Sequence, residues 1–213
     1  MAHETQMFFF QNVRHFFPRF FKDRKVLEIG SLNVNGTVRI FFDDCNYTGV
    51  DIGPGDCVDI VAKGEDFGDA AGAYDVVIST EVFEHADCWD VVFLNMVRLM
   101  KRDGMLIFSC ASLGRPQHGT RLSSPGAAPH VADSTDYYRN LTAGDFTSAF
   151  NFDYWFSEYN FIEDLDCLYF VGIGKNAQED AQTMANFKSA YRDYIRKKHI
   201  LGLSHQYITT GRF

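Results

Sequence analysis

The run Lys25-Val26-Leu27-Glu28-Ile29-Gly30-Ser31 constrains this chain more than any other stretch. Apolar residues surround a single acid and a glycine closes the run. That pattern describes a short buried strand ending in a tight turn, where backbone can approach a ligand closely. About twenty residues later, Tyr47-Thr48-Gly49-Val50-Asp51 forms a second such strand that also ends on an acid. A glycine turn after one strand and an acid at the tip of the next is how open α/β sheets hold the ribose of an adenosine-type cofactor.

The rest of the chain completes an alternating pattern. Phe9/Phe10, Val13 and Phe16/Phe17 have helical spacing within residues 3–17, before Pro18, and suit a helix packed on the sheet better than a lid, a partner surface or a membrane-skimming helix. Residues 34–43 suit a crossover helix, and 57–61 a third strand after the turn Gly53-Pro54-Gly55. Tyr74-Asp75-Val76-Val77-Ile78-Ser79 is a continuous apolar run, as a central parallel strand requires. A helix is expected over 87–100, stopped by Lys101-Arg102-Asp103-Gly104, and a fifth strand over 105–110. Strand and helix alternating in this way give a doubly wound, mostly parallel sheet.

Residues 112–141 break the rhythm, with Pro116, Pro125 and Pro129, both His118 and His130, and the pair Tyr137-Tyr138. A long irregular segment after a carboxyl end of the sheet, rich in aromatic and ionisable groups, suits a substrate lid. A short helix (143–150) then leads to strands near 154–160 and 167–174. The link between them is too short for a parallel crossover, so they must be antiparallel. The fold class expected is therefore α/β, a seven-stranded sheet with one antiparallel strand near the C-terminus. A last amphipathic helix is expected over 177–199; the tail from Gly202 carries no expectation.

At 213 residues the whole chain, 1–213, is expected to form one domain. The net charge of −8, without a Lys/Arg cluster, argues against nucleic-acid partners. The five cysteines are scattered and form no Cys-x-x-Cys pair, which argues against a disulfide framework or zinc site, and no metal is expected. No secretory signal or bilayer-spanning run is legible, so a cytoplasmic protein without membrane partners is expected.

Val26-Leu27-Glu28-Ile29-Gly30-Ser31, Tyr47-Thr48-Gly49-Val50-Asp51, the run Tyr74 to His85 with its trailing Glu84-His85, and Leu99-Met100-Lys101-Arg102-Asp103-Gly104-Met105-Leu106 occur in an order and spacing that resembles the class I S-adenosylmethionine-dependent methyltransferases. The likeness spans about residues 25–110. It departs from the family where further glycines are usual, because here Ser31-Leu32-Asn33-Val34-Asn35-Gly36 follows Gly30.

The resemblance implies S-adenosylmethionine as cofactor. It places Glu28, Gly30 and Ser31 at the methionine part, Asp51 and Ile52 at the ribose, and Glu65 or Asp66 near the adenine. Ser79, Thr80 and Glu81 would line the passage to the acceptor, and His85 would cap or pack near the cofactor.

Methyl transfer to a neutral hydroxyl needs a base, and histidine titrates in the right range. His118 is the first candidate because it lies just past strand five, and His130 is the second. Arg115, Tyr137, Tyr138 and Arg139 are candidates for binding a polar acceptor. The polar lid favours a small hydrophilic acceptor such as a sugar or sugar nucleotide. The rival readings are a nicotinamide-dependent oxidoreductase, which Asp51 would also serve, and a non-catalytic scaffold or partner subunit. The oxidoreductase would want a Gly-x-Gly-x-x-Gly turn that the chain lacks.

Overall fold

The computed structural model describes residues 4–164, 166–178 and 181–210, with side chains described for 5–164, 166–178 and 181–198. Helix α1 (Glu4–Phe16) precedes strands β1 (Lys25–Ile29), β2 (Asn46–Asp51), β3 (Ile60–Val61) and β4 (Tyr74–Thr80). Helix α2 (Trp89–Leu99) and β5 (Met100–Ala111) follow. The segment 112–141 contains only one helical turn α3 (Pro129–Ala132) and a 3₁₀ turn at Pro125–Ala127. Helices α4 (Ala143–Ala149) and α5 (Phe152–Trp155), the hairpin β6 (Phe156–Asp164) and β7 (Cys167–Gly174), and helix α6 (Ala181–Thr210) complete the chain.

The strands form one sheet in the order β3-β2-β1-β4-β5-β7-β6. Pairings among β1 to β5 are parallel, and β7 runs antiparallel to both β5 and β6. The expected fold class is thus the observed one, with β7 as the single reversed strand.

Side chains alternate across the strands, so each face has its own core. Leu27, Val77, Leu106 and Phe108 meet Phe93 and Met96 of α2, Phe146 of α4 and Phe152 of α5. On the other face Val26, Val76, Ile78 and Ile107 meet Phe9, Phe10 and Val13 of α1 and Phe187 and Tyr191 of α6. The phenylalanine-rich first helix is therefore a packing element. No described helix is long and apolar enough to cross a membrane.

Several boundaries differ from expectation. Residues 34–43 form no crossover helix, only a 3₁₀ turn at Val38–Phe41. The sheet face it would have covered is occupied by α1: Phe10 stacks on Phe41 with ring centroids 6.1 Å apart, and Arg14 Nη1 donates to Phe41 O at 2.8 Å. Helix α2 runs straight into β5, so Lys101–Gly104 is extended rather than a helix stop. There Met100 pairs with Tyr74, and Lys101 Nζ donates to Asp75 Oδ1 of the neighbouring strand at 2.6 Å.

The third strand shrinks to Ile60–Val61 at the sheet edge, where Cys57 holds a positive φ of 66°. Strand β6 begins at Phe156 because Asn151 caps a helical turn before it, its side chain accepting from Asp153 N. Residues 177 and 178, expected in the last helix, precede it: Ala177 N donates to Gly174 O in a turn that closes β7, and the helix is described from Ala181.

Candidate active site

The carboxyl ends of β1, β2 and β4 open into a cavity of about 350 Å³. It lies at the switch point of the sheet, where β1 has β2 on one side and β4 on the other and where such sheets bind ligands. Gly30 forms part of its wall at φ +80°, and a Cβ there would fall 2.0 Å from Val82 Cγ2. Only glycine lets the turn after β1 pack against the turn after β4.

Asp51 lies in the wall at the end of β2. Its Oδ2 accepts from Leu32 N at 3.1 Å and its Oδ1 from Gly53 N at 3.4 Å. Burial raises its pKa, opposed by these backbone donors. Leu32, Val34, Ile52 and Val92 supply apolar wall beside it, and Gly64 and Glu65 a polar edge.

At the other end Thr80, Glu81 and His85 line the cavity. Glu81 holds a positive φ of 57°. Its Oε1 accepts from Ser109 Oγ at 2.8 Å, and Ser109 Oγ accepts from Gln6 Nε2 of α1 at 2.9 Å. Behind this wall Glu84 is fully buried, and burial first, then the nearby Glu81 charge, pushes its pKa well above the carboxylate range. Burial, aided by His118, lowers the His85 pKa to about 4. The rings of His85, His118 and Tyr138 cluster with centroids 5.0 to 5.4 Å apart.

Residues 127–131, 134 and 135 roof the cavity. The roof is fastened where His130 Nε2 donates to Pro54 O at 3.1 Å, a carbonyl being able only to accept. Gly53 makes room for this ring, since a Cβ there would lie 2.4 Å from His130 Cγ.

Of the residues singled out from sequence, Gly30, Asp51, Ile52, Glu65, Thr80, Glu81, His85 and His130 meet in this wall. His130 stands over the β2 end, close to Asp51, rather than at the β4 end. His118 lies outside the wall, beside His85, with Nδ1 3.1 Å from Pro116 O. Burial lowers its pKa.

The others also stand outside the wall. Glu28 is buried and accepts from Tyr47 Oη at 2.8 Å, and burial raises its pKa to about 7. Ser31 and Ser79 are buried, and Asp66 sits in the bend after β3. Tyr138 Oη donates to Pro116 O at 3.3 Å, and Tyr137 presents backbone to the His85 ring. Arg115 pairs with Asp166 at 3.2 Å and Arg139 with Asp145 at 2.6 Å.

Sequence reasoning missed Glu84 and the relay from Gln6 through Ser109. Glu84 had a legible signal, an acid in the apolar run Val82-Phe83-Glu84. The relay had none, because Gln6 and Ser109 lie 103 positions apart.

A sheet of this order with one reversed strand, closed over a cavity by an acid-tipped β2, is the architecture of class I methyltransferases. The chain belongs to the methyltransferase-domain family, whose model matches residues 1–162, and is an S-adenosylmethionine-dependent methyltransferase. This sets aside the nicotinamide-dependent reading.

No curated protein matches in sequence. Among solved structures, the chain is similar to the Burkholderia thailandensis 1,6-didemethyltoxoflavin-N1-methyltransferase with bound 1,6-didemethyltoxoflavin and S-adenosylhomocysteine. The TM-score is 0.54 at 12% identity, over 81% of this chain and 80% of that one. It is also similar to the Haemonchus contortus phosphoethanolamine N-methyltransferase 2 (TM-score 0.53, 13% identity), over 80% of this chain and 57% of that one. A third likeness is to the CurJ carbon methyltransferase (TM-score 0.53, 13% identity), over 72% of this chain and 49% of that one. At these identities the likeness is one of fold.

The residues present fit the cofactor. The turn at Gly30, where only glycine fits, would let the cofactor approach the backbone closely, and the backbone-braced Asp51 carboxylate would accept from a ribose hydroxyl. Glu81 lines the other end of the same cavity.

Proposed function

We propose that the chain methylates a hydroxyl oxygen of a small polar acceptor, of the class of a sugar or sugar nucleotide. The observation that carries this reading is the lining: residues 127–131, 134 and 135, from the irregular polar segment after β5, form one wall of the cavity, which suits a compact polar acceptor. The net charge of −8 also disfavours a nucleic acid. Asp51 would hold the ribose, Gly30 the methionine end and Glu65 the adenine edge, with Ile52 and Val92 against the ring faces.

When bound, S-adenosylmethionine would supply an electrophilic methyl group, and the residues of the chain would hold the acceptor hydroxyl toward it and take up the hydroxyl proton. Holding the acceptor in line accounts for several kcal/mol of the barrier. Removing the proton falls to His118. A carbonyl only accepts, so the Pro116 contact keeps the proton on Nδ1 and leaves the Nε2 lone pair free. Burial keeps this imidazole neutral. General-base help is worth ~10²–10⁴-fold, roughly 3–5 kcal/mol. Tyr138, packed on His118 and His85, is the foremost acceptor-binding candidate, with Arg115, Tyr137 and Arg139 around it.

Calorimetry with S-adenosylmethionine and S-adenosylhomocysteine, on the wild type and Asp51→Ala, tests the cofactor assignment, with NAD as control. Micromolar binding that weakens about 10–100-fold in the variant is expected, from the loss of hydrogen bonds to a charged group. A panel of sugars and sugar nucleotides, assayed by methyl-group transfer, then tests the acceptor class. Turnover confined to amines or carbon acids would overturn it.

A further inference from the structure

Glu84, His85 and His118 each bring one ligand atom to a common point, the three atoms all within 4.8 Å of one another. Glu84 has no exposed surface, and no side chain hydrogen-bonds its carboxylate, which only the backbone N–H groups of Glu84 and Ala111 approach. His85 Nδ1 is likewise buried, and no side chain hydrogen-bonds it, the Tyr137 backbone alone standing against the ring. A buried carboxylate is costly unless it is paired, protonated or bound to a metal. Among the described residues no Lys or Arg pairs with Glu84. His118 is held by a backbone carbonyl on Nδ1, as second-shell partners orient ligating histidines.

We propose that Glu84, His85 and His118 form a divalent-cation site beside the methyl-transfer cavity. Two imidazole nitrogens and one carboxylate suit a first-row transition ion such as Mn²⁺, Fe²⁺, Co²⁺ or Zn²⁺, whereas Mg²⁺ and Ca²⁺ prefer all-oxygen sets. Three protein ligands leave coordination positions open. Because His85 is itself part of the cavity wall, those positions are within reach of a bound acceptor. Glu81, with Oε2 also buried and unpartnered, belongs to the same wall.

The cation's role rests on the methyl-transfer reading: the ion would bind the acceptor hydroxyl and ease loss of its proton to solvent, and the base role given to His118 above then belongs to the cation-free protein. Cation binding itself does not depend on that reading.

The test is calorimetric titration of chelator-treated full-length protein with Mn²⁺, Co²⁺, Zn²⁺ and Mg²⁺, and the visible absorption of the Co²⁺ form. Wild type, Glu84→Gln and His118→Ala are compared, with S-adenosylhomocysteine binding measured on each. The expected result is one transition-metal ion per chain at micromolar affinity, with Mg²⁺ weaker and both variants weakened at least about tenfold. His118 lies at the edge of the cluster, so His118→Ala tests the site even if Glu84→Gln fails to fold. No transition-metal binding by the wild type, or unchanged affinity in His118→Ala, overturns the proposal, and Glu84 is then a buried neutral acid. Cation binding without S-adenosylhomocysteine binding would sustain the site and remove the methyl-transfer role. The reverse would remove the site alone.

Discussion

Ser109 Oγ donates a 2.8 Å hydrogen bond to Glu81 Oε1, and so β5 fixes a carboxylate that the turn after β4 brings to the cavity wall. Glu81 sits in left-handed backbone, which for a residue with a Cβ must be over-determined by its surroundings. Ser109, itself fully buried and held by Gln6, is one such determinant. Ser109→Ala removes the donor and leaves a buried carboxylate oxygen unsatisfied. Urea denaturation is expected to show a loss of about 1–3 kcal/mol. An unchanged midpoint would mean that Glu81 relaxes into solvent.

Gly30 bears both a steric and a conformational constraint. Gly30→Ala places a methyl on Val82 and costs about 1–2 kcal/mol of left-handed strain before any clash. Because Gly30 is also cavity wall, S-adenosylhomocysteine affinity should fall by more than the thermal stability suggests. Calorimetry alongside a melting curve separates the two effects.

Glu28 gives a pH signature. Its folded pKa of about 7 lies above the ordinary value of 4.5, with burial as the cause. The raised pKa means that the stability it contributes is complete below pH 4.5 and is lost as the pH rises through about 7. The shift corresponds to about 3 kcal/mol. Glu28→Gln, which keeps an acceptor for Tyr47 Oη, should match the wild type at pH 4.5 and exceed it by about that amount at pH 8. Denaturant midpoints at both pH values check the sign.

Gly53 and His130 form a lock between β2 and the roof. Gly53→Ala should displace the ring and speed S-adenosylhomocysteine release severalfold. In a His130→Ala background the same substitution should have no further effect, because the clash is gone. Stopped-flow dissociation rates of the single and double variants measure this coupling. Additive effects would mean that Gly53 acts independently of the roof.

The parallel strands and the reversed β7 were legible because burial on both faces writes continuous apolar runs such as Tyr74–Ser79, and because Phe161–Asp166 leaves no length for a crossover. Asp51 and Gly30 were legible for a similar reason. A strand tip and the turn beside it are local, so spacing alone places them at one end of the sheet. The fate of residues 34–43 was not legible. Their apolar spacing permits a helix, and only the arrival of α1 on that face leaves them as a 3₁₀ turn.

The sequence by itself determined the sheet, its direction changes and the meeting of Gly30 and Asp51 at one end of it, since each depends on short-range pattern. The tertiary structure alone decided which histidine meets which end. His130 and His118 come from one irregular segment, yet one closes on Pro54 above β2 and the other packs on His85 beyond β4. It also decided that Glu84 is buried with His85 and His118 around it, and that Gln6 reaches Ser109. These are contacts between residues far apart in the chain. They follow from how the sheet, α1 and the roof pack, and that packing leaves no periodic trace in the sequence.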